Sequence, residues 1–211
     1  LGLRAIRWSL TEPEIFLTQL RAILRASAHG QAQILVPMLA QVHEIDQTLE
    51  LIELAKKQLD ERSQAYNPQV RIGAMIEIPA AALVLPLFID RFDFLSIGTN
   101  DLIDRADSSV AHLYDPMHPA VLRLIAQVIG EAKAANISVS ICGEMAGDSK
   151  LARLLLAMGL TDFSMHASQL LTVKREILKT DIARVKPLLA DILKAVDPEV
   201  QEKAMLSLAK A

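Results

Sequence analysis

Cysteine occurs once in the 211 residues, at Cys142. A lone thiol cannot close an internal disulfide, which excludes the cross-linked secreted scaffolds and points to a reducing, cytoplasmic setting. Excess charge is missing too: the net charge is −3, with Lys and Arg scattered among acids. Lacking a basic stripe, the chain does not have the footprint of a nucleic-acid binder. Its longest apolar run, residues 78–89, is too short to cross a bilayer and carries Pro79 and Pro86. No glycine fingerprint of a dinucleotide or phosphate loop follows any apolar run, and there is no internal repeat. Aromatics make up only 4% of a chain that is 52% hydrophobic. The core must therefore be built from Ala, Leu, Ile and Val, as suits helices packed on a buried sheet. The chain opens Leu1-Gly2-Leu3-Arg4 with no signal-peptide pattern and no initiator Met, and is expected to be a piece of a longer protein.

What is present is an alternation of strand-like and helical periods. Thr11-Glu12-Pro13-Glu14 has the form of a capping box opening a helix to about Ala28. Strands are expected at 34–38, 71–77, 93–98, 138–142 and 162–165, with helices at 42–62, 80–89 (limited or bent by Pro86) and 119–135. Asp148 is expected to cap a helix that Gly159 ends, Ser168 to start another, and residues 181–211 to be helical and amphipathic. The longest irregular stretch is 99–118. Five strands joined by helical crossovers make a parallel α/β fold, either an open doubly wound sheet or part of a (β/α)8 barrel. Five units are too few to close a standard barrel.

Three of these runs end in chemically capable side chains: residues 72–77 in Glu77, residues 94–101 in Asn100 and Asp101, and residues 137–144 in Cys142, Gly143 and Glu144. Parallel strands would bring those ends to one rim, where α/β enzymes build their sites. Singly, each has a structural explanation. Glu77 could answer the dipole of the following helix, Asn100 and Asp101 could be turn residues, and Cys142 could be a small buried apolar group. Together, two carboxylates on neighbouring strand ends would repel unless a cation such as Mg²⁺ or Mn²⁺ lay between them. A thiol beside them could exchange a proton with a substrate. Arg105 offers a donor fork for phosphate or carboxylate, and Arg4 and Arg7 are weaker candidates. His29, His43, His112, His118 and His166 are too dispersed for a zinc site, and most read as surface or structural. The run 154–158 reads as core.

The segments Gly73-Ala74-Met75-Ile76-Glu77-Ile78-Pro79-Ala80-Ala81, Phe94-Leu95-Ser96-Ile97-Gly98-Thr99-Asn100-Asp101-Leu102 and Cys142-Gly143-Glu144-Met145-Ala146-Gly147-Asp148 resemble the C-terminal phosphoenolpyruvate-binding domain of the Enzyme I family. These are the phosphoenolpyruvate–protein phosphotransferases of the bacterial sugar phosphotransferase system. The resemblance extends from Leu1 to Met165 and implies one (β/α)8 barrel domain over residues 1–211, incomplete at its N-terminus. It implies that Glu77 and Asp101 ligate Mg²⁺, that Asn100, Asp101, Arg105 and Arg4 face phosphoenolpyruvate, and that Cys142 is the acid giving pyruvate. It implies further a phosphate passed to a histidine on a separate domain and then to HPr, and a homodimer in the cytoplasm. Two substrate-binding arginines of the family, and the histidine, fall outside this sequence. A short segment of the family is also missing between Ile103 and Asp104. Two rival readings stand beside this one: the barrel of a phosphoenolpyruvate synthase or pyruvate phosphate dikinase, and a non-catalytic dimerisation or sensing module.

Overall fold

The structure, a computed structural model, describes residues 2–103 and 114–211. The chain divides into two compact units, Leu1–Leu95 and Ser96–Ala211, and the division falls within a strand, β3 (Phe94–Gly98).

In the first unit, α1 (Ile6–Thr11) and α2 (Pro13–Ala26) precede β1 (Gln33–Val36). Next come α3 (Val42–Glu61), β2 (Arg71–Ile76), α4 (Pro79–Leu83) and α5 (Pro86–Ile89). β1 and β2 pair in parallel, Gln33 opposite Arg71 through Val36 opposite Ala74, and the α3 crossover makes that pairing possible. Helices α2 and α3 pack together. Their facing stripes, Leu17, Leu20 and Leu24 on one and Ile45, Ile52, Ala55 and Leu59 on the other, recur at helical spacing and are buried.

The capping box lies elsewhere than the sequence suggests. Thr11 turns its hydroxyl back to the Trp8 carbonyl at 2.7 Å within α1, and Glu12 caps α2 without a side-chain bond. The box forms instead at the start of α3, where Glu44 Oε2 accepts the Gln41 N–H at 2.9 Å and the Gln41 side chain accepts in return. Pro86 splits the expected 80–89 helix into α4 and α5, since proline has no N–H to continue the ladder.

The second unit continues from β3 into α6 (Thr99–Leu102), then α7 (Pro119–Ala134), β4 (Ser138–Cys142), α8 (Glu144–Gly147), α9 (Ala152–Met158), β5 (Asp162–Phe163) and α10 (Ala167–Lys179). β4 and β5 pair in parallel, Ser140 opposite Asp162 and Ile141 opposite Phe163. The run 154–158 is buried on every side because α9 packs against α7, α10 and the helical segments of residues 182–210. Gly159 ends it in the left-handed conformation at φ 98°. Asp148 does not cap α9; its Oδ1 accepts the Lys150 N–H at 2.9 Å in a local turn, and Leu151 stands at the cap. Residues 181–211 are helical in pieces: α11 (Ile182–Val185), a 3₁₀ turn (Lys186–Leu188), α12 (Leu189–Lys194) and α13 (Pro198–Lys210). The strand order is β1-β2-β3-β4-β5. Parallel pairing of neighbouring strands, as in β1 with β2 and β4 with β5, is the arrangement of a barrel's βα units.

Candidate functional site

In the first unit a side-chain bond ties two strand ends together. Glu77, next after β2, is buried at 4% exposure, and its Oε1 accepts the N–H of Met38 at 2.7 Å. Met38 lies just beyond β1, fully buried and at φ 65°. A non-glycine residue in that conformation costs about 1–2 kcal/mol. A short charge-assisted bond to a carboxylate offsets that cost. The dipole of the following helix does not explain Glu77, because α4 has only five residues and Ile78 at its cap. Arg4 is exposed just ahead of α1, and Arg7 gives its Nη1 to the Gly2 carbonyl at 3.3 Å.

In the second unit the ends of β3 and β4 are cross-tied through their following helical turns. Thr99 Oγ1 donates to the Cys142 carbonyl at 2.8 Å, and the Glu144 N–H donates to Asn100 Oδ1 at 3.1 Å. The Cys142 thiol donates to the Ile97 carbonyl at 3.5 Å. Asp101 is half-buried in the first turn of α6. Arg105 lies outside the described residues.

Gly143 makes this knot possible. Its φ is 89°, and a Cβ there would stand 2.5 Å from Thr99 Oγ1 and 2.8 Å from Asn100 Oδ1. Gly143→Ala is therefore expected to lose about 2 kcal/mol of stability from backbone strain and overlap. Urea denaturation checks this; an unchanged midpoint would show that the α6–α8 turn tolerates a side chain.

The Cys142 side opens on a cavity of about 850 Å³, with Glu144, Asp148, Ser164, His166 and Gln169 also on its wall. Cys142 is thus half-buried on a cavity wall and not a sealed apolar residue. Ser164 and His166 follow β5 directly, so the strand-end reasoning that singles out Cys142 applies to them as well. Thr99 was hidden in its motif because its role is to hold backbone. Among the described residues no three His, Cys, Asp or Glu side chains gather to hold a metal. A closed transition-metal site is not built there. Hard oxygen donors such as the buried Glu77 carboxylate suit Mg²⁺, which completes its shell with water and substrate oxygens. No described helix is long and apolar enough to cross a membrane.

The family model described as "PEP-utilising enzyme, PEP-binding domain" matches residues 1–182. A phosphoenolpyruvate-protein phosphotransferase of Cupriavidus necator is 62% identical over 216 aligned positions, covering 100% of this chain and 37% of its own length. One from Bacillus subtilis is 44% identical, covering 85% of this chain and 32% of its own. The chain thus spans about a third of the length of these curated relatives. A solved citrate lyase from Burkholderia xenovorans superposes with TM-score 0.55 at 20% identity, covering 92% of this chain and 68% of that one, a likeness of fold alone.

Proposed function

The chain belongs to the PEP-utilising enzymes, matching their PEP-binding domain, and on that premise we propose that it holds phosphoenolpyruvate and Mg²⁺ within a phosphoenolpyruvate–protein phosphotransferase. In this reading Glu77 and Asp101 hold the cation. Asn100, Asp101, Arg105 and Arg4 face the substrate's anionic groups. When bound, Mg²⁺ neutralises phosphoryl oxygens and orients the group in transfer. The phosphoryl group leaves for a histidine on another domain and then HPr, and the P–O bond pair stays on enolpyruvate. The methylene carbon then takes a proton from the Cys142 thiol to give pyruvate, and solvent reprotonates the thiolate.

The observation that carries this reading is Cys142 on a cavity wall, its backbone held there by a strand-end knot. Proton delivery to carbon requires a donor at a fixed place facing an open pocket. The names of the relatives support the phosphotransferase over a synthase or dikinase. A homodimer in the cytoplasm completes the proposal.

Titration calorimetry of the full chain with phosphoenolpyruvate tests it. Binding with Mg²⁺ present, weakened at least tenfold by EDTA, is the expected result. Binding indifferent to the metal would sink the site as drawn.

A further inference from the structure

We propose that His166 is a ligand-binding residue of the Cys142 cavity, its Nε2–H donating to an anionic oxygen of the substrate. This rests on the reading above, that the cavity receives phosphoenolpyruvate and pyruvate.

The argument begins with the ring's other nitrogen. His166 stands at the N-cap of α10, where Nδ1 accepts the Ser168 N–H at 3.4 Å and lies 2.9 Å from Ser168 Oγ. A backbone N–H can only donate, so Nδ1 presents its lone pair to Ser168. The ring proton is then on Nε2. Among the described residues Nε2 has no hydrogen-bond partner, and the exposed His166 stands among the residues lining the cavity that Cys142 also lines. Two carboxylates, Glu144 and Asp148, share that wall. An anion entering beside them needs a directed donor, and among the described residues of the wall His166 is the one imidazole.

The chain contains its own control. His118 caps α7 in the same way, Nδ1 accepting the Ala120 N–H at 3.2 Å, yet it is not on the cavity wall. Capping therefore accounts for one nitrogen of each histidine. Only at His166 does the remaining N–H meet a cavity.

Asparagine and glutamine separate the two nitrogens. Asn keeps a capping acceptor but has no donor at the Nε2 position; Gln places an amide N–H there and caps poorly. In the full chain, His166→Asn is expected to melt as wild type does and to weaken phosphoenolpyruvate and pyruvate about tenfold by calorimetry with Mg²⁺ present. His166→Gln is expected to melt lower and bind within about threefold of wild type, and His118→Asn to leave affinity unchanged. Weakening confined to phosphoenolpyruvate also supports the donor and places it at the phosphoryl group. Should His166→Asn not fold, the wild-type imidazole ¹⁵N–¹H spectrum serves, with the Nε2–H signal expected to shift on adding pyruvate. Unaltered affinity in His166→Asn, or an unmoved Nε2–H signal at saturation, overturns the inference and leaves the wider reading standing. Wild type that binds no phosphoenolpyruvate overturns both.

Discussion

Glu77→Gln is expected to fold as wild type does and to lose Mg²⁺-dependent binding of phosphoenolpyruvate by about 100-fold, or about 2.8 kcal/mol at 1.4 kcal/mol per decade. The choice of glutamine matters. Glu77 Oε1 accepts the buried Met38 N–H at 2.7 Å. Removing that acceptor with alanine would strand the donor at a cost of about 1–3 kcal/mol. The Gln amide oxygen replaces it at the same reach, so the turn carrying Met38 at φ 65° keeps its anchor. What is lost is the charge, and a hard cation discriminates strongly between a carboxylate and an amide oxygen. Calorimetry with and without Mg²⁺, beside a thermal melt, reads both halves of the prediction. A variant that melts normally and still binds in a metal-dependent way would remove Glu77 from the cation site. A variant that melts far lower would show that the carboxylate's charge holds the Met38 turn.

How legible this was from sequence depends on the length of the element and where its hydrogen bonds go. β4 was readable at both ends because Ser138–Cys142 alternates serine with Val139 and Ile141 and is bounded by Asn136 and Gly143. α3 was readable to within a residue because five buried positions repeat along twenty residues. The misses are short or interrupted. α1, α6 and α8 span one or two turns, too few to show a period, and owe their form to tertiary bonds such as Thr99 to the Cys142 carbonyl. The stretch 181–211 read as helical and breaks near Pro187 and Pro198.

The site divides along the same line. Glu77, Asn100, Asp101 and Cys142 were visible because strand-end position is a property of sequence order. Ser164 and His166 obey the same rule but follow a strand of only two residues. His166 was further obscured because histidine is not a common N-cap. Its cavity-facing nitrogen is evident only once the other is seen to be occupied.

Cys142→Ala carries the other large expectation: proton delivery to carbon should fall by about 10²–10⁴, while phosphoenolpyruvate binding stays within about twofold. The separation follows from where the residue's bonds lie. The ties between β3 and β4 run through the Cys142 carbonyl and the Glu144 N–H, both backbone groups that alanine retains. The thiol's bond to the Ile97 carbonyl is long and weak at 3.5 Å, and the knot itself is made by backbone groups, so loss of the thiol perturbs it little. Ground-state affinity therefore survives, and only the step needing a mobile proton beside the cavity is lost. Exchange of pyruvate methyl protons with deuterated water, followed by NMR, isolates that step from phosphoryl transfer. Cys142→Ser sharpens the test, because a hydroxyl restores the hydrogen bond and most of the volume but is far less acidic than a thiol. If serine exchanged as fast as cysteine, the thiol's acidity would not be what sets the rate of proton delivery. If alanine did so, the proton would come from another group on the cavity wall, with Glu144, Asp148 and His166 the candidates. Loss of exchange in both variants, with affinity intact, assigns the proton to Cys142.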